Sequence, residues 1–369
     1  MIVGCPKEIK TLENRVGLIP ATVKSLVAHK AKVLVEKGCG LGSNISDQAY
    51  RDAGAEIVDT AKEIWAQADI IAKVKEPLPE EFALFRENQV IYTFLHLAAE
   101  PELAEALLKR NVTAISYETI EVNGQLPLLK PMSEVAGRMA VQVGAWCLEN
   151  QNGGKGILLG GVPGVSKGRV LILGAGVVGK NAAKMALGLG AHVTMMDVSA
   201  SRLEEIDDLF LGQVETVYST SHAIEHYVTK TDLLIGAVLL TGARAPRLVT
   251  KEMVKTMGKG SVIVDVSVDQ GGCVETMKRT MHDAPTYIVD GVVHYGVANM
   301  PGAVASTSTF ALSHATAPYL IKMVQEGVFQ AIAKNESLKK GLNTFAGHIT
   351  HAEVAAALGK QYTAPEMLM

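Results

Sequence analysis

The sequence predicts an α/β protein of two doubly wound domains. Three observations carry that expectation. Short apolar runs alternate with helical patterns along the first third of the chain. A glycine-rich turn joins a strand to a helix near the middle. The length of 369 residues exceeds one ordinary domain and suits two.

The chain opens on a strand-like segment, Ile2-Val3-Gly4. Further candidate strands are 32–36, 70–74, 90–94 and 113–117, and candidate helices are 20–28, 61–66 and 101–110. This βαβα rhythm points to a parallel sheet with helices on both faces. Pro127 to Met132 is a proline-punctuated boundary. Residues 135–149 are apolar at helical spacing and carry the chain onward, followed by a glycine-rich loop over 153–168. Later strands are expected at 233–237, 261–266 and 288–293. A long apolar helix over about 307–324 returns the chain to the first domain. The expected domains are 1–128 with 305–369, and 129–304.

The central turn is the most specific motif. The strand-like Arg169–Leu173 leads into Gly174-Ala175-Gly176-Val177-Val178-Gly179 and a helical run, and Asp197 ends the next apolar run 18 residues after Gly179. The first glycine allows the tight turn, the second lets a pyrophosphate approach the backbone, and the third lets helix pack on strand. The helix start offers N–H groups and positive partial charge to phosphates. Asp197 suits ribose hydroxyls and repels a 2′-phosphate, which favours NAD over NADP. The unit reads as Rossmann-like. Arg202, just beyond Asp197, has the position for a phosphate contact, but also suits a surface helix arginine or one lying over the adenine.

Composition narrows the class. A net charge of −3 and no long basic run give no electrostatic case for nucleic acid. No run of 18 apolar residues appears, so no membrane helix is expected. The opening segment, with Lys7, Glu8 and Lys10, does not resemble a signal peptide. Cys5, Cys39, Cys147 and Cys273 lack CxxC spacing and read as reduced thiols of a cytoplasmic protein. Cys273 reads as a packing residue. His222 with His226, and His348 with His351, lack the further ligands a metal site needs. No metal is expected.

Open parallel sheets bind ligands beyond the carboxyl ends of their strands. That rule selects Arg15 after the first strand, Lys75 after 70–74, His96 after 90–94 and Asp269 after 261–266. Two cations, a histidine and a carboxylate would meet in a cleft between the domains. The cations suit a carboxylate substrate, and histidine moves protons near neutral pH. Taken singly, each has a plainer role: Arg15 on the surface, Lys75 paired with Glu76, His96 in a core, Asp269 in a turn. Periodicity and spacing alone reach an NAD-dependent enzyme acting on a small acid.

At these residues the chain closely resembles the L-alanine dehydrogenases. Gly4-Cys5-Pro6-Lys7-Glu8, Asn14–Pro20, Lys73-Val74-Lys75-Glu76-Pro77 and Thr93–Ala98 carry the resemblance. So do Pro131–Arg138, Asp265–Gly272 and Val297–Gly302, and it spans essentially the whole chain. It implies a homo-hexameric, NAD-dependent enzyme that interconverts L-alanine with pyruvate and ammonium. Arg15 and Lys75 would bind substrate, His96 would be the acid/base, and Asp269 the second catalytic residue. The nicotinamide end would lie near Ser133, Asn299 and Met300. Val238, Leu239 and the segment with Val266 would line the cofactor, with Ser219 and Val297 among its binding residues. Alternatives are an NAD(H)-binding transhydrogenase component, which lacks the amino-acid catalytic set, a saccharopine-type dehydrogenase, and a non-catalytic NAD sensor.

Overall fold

The computed structural model describes residues 1–238 and 245–368. The chain divides into two compact units, residues 1–132 with 304–369, and residues 133–303. Six strands come first: β1 (Ile2–Cys5), β2 (Lys32–Glu36), β3 (Glu56–Val58), β4 (Ile70–Ala72), β5 (Val90–Thr93) and β6 (Thr113–Ser116). The second unit holds β7 (Arg169–Leu173), β8 (His192–Asp197), β9 (Val214–Tyr218), β10 (Leu233–Gly236), β11 (Val262–Asp265), β12 (Thr286–Val289) and β13 (Val292–Tyr295). Two short strands, β14 (Leu342–Phe345) and β15 (His348–Ile349), follow in the first unit.

Both units are doubly wound α/β sheets. Among the described residues the first sheet runs β15-β14-β6-β5-β4-β1-β2-β3, and the second runs β12-β13-β11-β10-β7-β8-β9. Six neighbouring strands of each are parallel, out to β3 and β9 at one edge, and each sheet ends in antiparallel pairing at the other. Strands β4, β5, β10 and β11 are buried along their whole length, which explains their continuous apolar runs. In the first unit Ile64, Trp65, Phe85 and Leu107 pack with Ile91 of the sheet, and in the second Ile224, Val228 and Val254 pack with Leu171, Leu173, Leu234 and Ile263 of the sheet.

The order of strands reverses between β1 and β4 in one sheet and between β7 and β10 in the other. At such a point the loops leaving two neighbouring strands diverge and open a crevice at the carboxyl ends. Arg15 follows β1 and Lys75 follows β4; Gly174 follows β7 and Val238 follows β10. Of the polar residues singled out from sequence, Arg15 and Lys75 therefore follow the two strands that flank a reversal, while His96 follows β5 and Asp269 follows β11.

Several elements differ in extent from the sequence reading. The single strand expected at 288–293 is a hairpin, β12 and β13, because Asp290 and Gly291 adopt φ of 51° and 82°. An Asp-Gly pair between apolar runs is a hairpin signal of this kind. The helix expected at 135–149 spans Lys130–Cys147, with Pro131 in its first turn, where the missing N–H costs nothing. The returning helix spans Ala305–Glu326 and continues through Pro318.

Candidate active site and dinucleotide cradle

The glycine turn in the second unit has a distinct steric reason at each glycine. Gly174 has φ of 108°, and a Cβ there would lie 2.6 Å from the carbonyl oxygen of Ala237. A Cβ on Gly179 would lie 1.9 Å from the carbonyl oxygen of Gly174. Gly176 differs: nothing lies within 4 Å of its would-be Cβ. Two glycines are thus demanded by the protein's own packing. Gly176, the second of the motif, leaves open space of the kind a pyrophosphate needs, in front of the helix Val177–Gly188. Val177 and Val178 start that helix.

The helix Lys130–Cys147 is pressed against this first turn. A Cβ on Gly137 would meet the Val178 carbonyl oxygen at 2.2 Å, and Arg138 Nε donates to Asn181 Oδ1 at 3.0 Å. Ser133 lies one helical turn before Gly137, on the same face.

Asp197 ends β8 and is 7% exposed. Its carboxylate accepts the Ala175 N–H at 2.8 Å and the Ser199 N–H at 2.9 Å, which ties it to the glycine turn. Arg202 stands 3.8 Å from the same carboxylate. It is therefore an ion-pair partner of Asp197 as well as an exposed helix arginine. Ser219, just past β9, donates its N–H to the Asp197 carbonyl at 3.0 Å. The Val238 carbonyl accepts from Ser267 Oγ at 2.7 Å, while Leu239 lies outside the described residues. Val297 and Met300 are buried, and Asn299 between them has φ of 60°. These residues fit a dinucleotide: an open glycine, a helix start and an acidic strand end share one crevice.

Asp269 lies in the short helical turn Val266–Gln270, on the surface of the same unit. Its Oδ2 accepts the Asn299 N–H at 3.4 Å, and Arg279 stands 3.8 Å from Oδ1. The loop is anchored beneath by Asp265, whose buried carboxylate accepts N–H groups of Ser267, Cys273 and Val274 at 2.9, 2.7 and 3.3 Å. Burial pushes the Asp265 carboxyl up, against the effect of those hydrogen bonds. Cys273 is fully buried beside it, as a packing residue should be.

Arg15, Lys75 and His96 all lie in the first unit, where the charge of Arg15 acts on Lys75 and that of His96 on the adjacent Glu76. Arg15 is 3% exposed, and Glu13 receives its Nε at 2.7 Å and a terminal nitrogen at 2.6 Å. Lys75 is half-buried; the close ion-pair partner of Glu76 is Lys10, and Lys75 acts on Glu76 through its charge. Burial, then the charge of Arg15, pulls the Lys75 ammonium below the ordinary lysine range. His96 follows β5 with φ of 49°, and its ring stacks on Phe94 at 6.0 Å between centroids. Its N–H donates to Glu118 Oε1 at 2.5 Å, and its Nδ1 lies 3.9 Å from that oxygen.

Sequence reasoning missed Glu118, Asp265 and Arg279. Asp265 stood inside a quoted motif without a role. Glu118 lies 22 residues from His96 and carried no local signal. Glu8 was likewise quoted without a role, yet its Oε1 accepts the N–H groups of Val74 at 2.6 Å and Lys75 at 3.3 Å.

Two family models cover nearly the whole chain. The alanine dehydrogenase/PNT N-terminal domain matches residues 4–136, and the alanine dehydrogenase/PNT C-terminal domain matches residues 140–352. The chain belongs to the alanine dehydrogenase/PNT family. It is 57% identical to the alanine dehydrogenase of Bacillus subtilis (strain 168) over 367 residues, covering 99% of this chain and 97% of that protein. It is 55% identical to the alanine dehydrogenase of Methanococcus maripaludis, with 99% of each chain covered. A solved L-alanine dehydrogenase superposes with a TM-score of 0.95 at 52% identity, over 97% of this chain and 99% of that one. A transhydrogenase from Sinorhizobium meliloti superposes with a TM-score of 0.83 at 28% identity, over 95% of this chain and 99% of that one. As a family member the protein is NAD-dependent, which agrees with the acidic end of β8.

The glycine geometry separates folding from cofactor binding. Gly176→Ala should keep folding free energy within about 1 kcal/mol and weaken NADH binding about tenfold or more. Gly179→Ala should cost about 1–3 kcal/mol or more of stability. Denaturant melts and NADH fluorescence titration check both; equal effects on folding from the two variants would contradict the assignment.

Lys75 gives a pH prediction. Its charged form is disfavoured in the fold, and a bound carboxylate favours it. Carboxylate binding is then strongest below the lowered pKa and weakens as pH rises through it. Affinity for a small carboxylate such as oxamate, measured with NADH present, should fall with pH before the ordinary lysine range is reached. Lys75→Arg, which stays charged, should flatten that fall. A flat profile in the unmutated protein would count against a role for Lys75.

Proposed function

We propose that the protein catalyses the reversible NAD-dependent oxidative deamination of L-alanine to pyruvate and ammonium. The carrying observation is identity of 57% along 99% of the chain to an alanine dehydrogenase. Arg15, Lys75, His96 and Asp269 are all present, in the segments that follow β1, β4, β5 and β11, which supports this reading. The lower likeness to a transhydrogenase, 28% identity, favours the deaminase over hydride exchange between nucleotides.

In this reading Arg15 and Lys75 hold the substrate carboxylate and so fix the position of Cα. NAD, when bound on the glycine turn with its ribose at Asp197, supplies the hydride acceptor. Ser133, Asn299 and Met300 border its nicotinamide end, Val238, Leu239 and Val266 its middle, and Arg202 and Ser219 its adenosine end. His96 and Asp269 carry the proton transfers at the amine, at the water that adds to the oxidised carbon, and at the departing ammonium. Glu118 fixes the backbone at His96, and Asn299 with Arg279 holds the Asp269 carboxylate. Positioning and electrostatics are the protein's share of the rate.

The same reading makes the protein a cytoplasmic homo-hexamer that acts on small molecules. No helix among the described residues is long and apolar enough to cross a membrane. A net charge of −3 gives nucleic acid no electrostatic foothold.

His96→Ala and Asp269→Ala should each lower turnover by about 10²-fold or more while leaving NADH binding largely intact. Steady-state rates with pyruvate and ammonium, alongside NADH fluorescence titration, check this. Near-normal turnover in either variant would remove that residue from its role.

A further inference from the structure

Glu76 has one carboxylate oxygen that the roles above leave unused. The residue is 4% exposed, Oε1 pairs with Lys10, and Oε2 is out of solvent with no hydrogen-bond partner among the described residues. The other carboxylates nearby are engaged. Glu8 takes Lys73 and the Val74 N–H, Glu81 takes Lys73 and the Leu78 N–H, and Glu118 takes the N–H groups of Leu95 and His96. Glu13 is occupied by Arg15.

Glu76 directly follows Lys75 beyond β4, at the reversal of strand order. Burial works against its charge, but the hydrogen bond from Lys10 and the charges of Lys75, Lys10 and His96 outweigh it. Its carboxyl is held below the usual carboxylate range. An ionised, buried oxygen without a donor is unfavourable, and a donor-only group answers it best.

We propose that Glu76 Oε2 accepts a hydrogen bond from the reacting nitrogen, which enters as ammonium in the reductive direction. Ammonium has four N–H donors and no lone pair and is the size of a water molecule, so an ionised carboxylate oxygen suits it; before its nitrogen adds to the pyruvate carbonyl it passes one proton to the acid/base residues proposed above. The adjacent Lys75 repels it and attracts the carboxylate of the other reactant. Neighbouring residues of opposite sign thus sort the acid end of the substrate from its nitrogen end. The inference rests on the deaminase activity proposed above.

The test is Glu76→Gln, which keeps the shape and removes the charge. Initial rates of NADH oxidation are measured with ammonium varied and then with pyruvate varied. The ammonium KM should rise about tenfold or more, the pyruvate KM should stay within about twofold, and NADH affinity should not move. An unchanged ammonium KM means that Oε2 holds water alone, and it overturns the proposal. A parallel loss of ammonium, pyruvate and NADH affinity means a structural role, and it overturns it too. Should Glu76→Gln not fold, Glu76→Asp keeps the charge but withdraws it. A smaller rise confined to the ammonium KM is then expected, and no rise overturns the proposal. Turnover by the unmutated protein with an insensitive variant sinks this inference alone. No ammonium-dependent turnover by the unmutated protein sinks the deaminase reading with it.

Discussion

The first unit depends on one buried ionic cluster at the reversal of its strand order. Glu8 leaves β1 and reaches the segment beyond β4, where its carboxylate meets the Lys73 ammonium at 3.2 Å and the N–H of Val74 at 2.6 Å. Glu81 takes the other side of Lys73 at 2.9 Å, and the Lys73 side chain has no exposure at all. Burial opposes the lysine charge, but the two carboxylates outweigh it and raise its pKa. Removing one member of such a cluster typically costs about 3–5 kcal/mol, because the rest stays buried and uncompensated. The loop carrying Arg15 and the segment carrying Lys75 are thereby held together before any substrate arrives. Tyr117 adds to the same point by donating its hydroxyl to the Lys73 carbonyl at 3.0 Å.

The second unit solves the matching problem with glycine and aspartate instead of ions. Close approach at Gly174 and Gly179 fixes the turn, and Gly137 seats the helix Lys130–Cys147 on it. Asp197 and Asp265 each use a buried carboxylate to fasten the loop beyond their own strand by backbone N–H groups. Preorganised loops of this kind keep ligand groups in place without reorganisation during reaction. The same sheet topology thus supports two chemistries, cation-lined for a small acid and glycine-lined for a dinucleotide.

Much of this was legible in the sequence because it is local. Strand, turn, helix and acid at Gly174, Gly176, Gly179 and Asp197 lie within one βαβ unit, and residues directly after apolar runs fall at strand ends by necessity. What was not legible depends on partners distant along the chain. Glu8 meets Val74 across 66 residues, and Glu118 meets His96 across 22. No spacing rule links such pairs; the order of strands in the sheet does. The hairpin at Asp290-Gly291 was legible in principle, since its dipeptide is a known turn signal, but the flanking apolar runs read as one strand. Arg202 shows the opposite case. Its place near Asp197 was evident, while its pairing with that carboxylate required the structure.

The most direct measurement is NADH formation from L-alanine, with NAD and with NADP as separate oxidants, beside a panel of other small amino acids. Rapid turnover with L-alanine and NAD, and little with NADP, is the expected result. It would support the substrate set after β1, β4 and β5 together with the ribose role of Asp197. Tight NADH binding without turnover of L-alanine would contradict the deaminase reading and return the protein to a nucleotide-binding role.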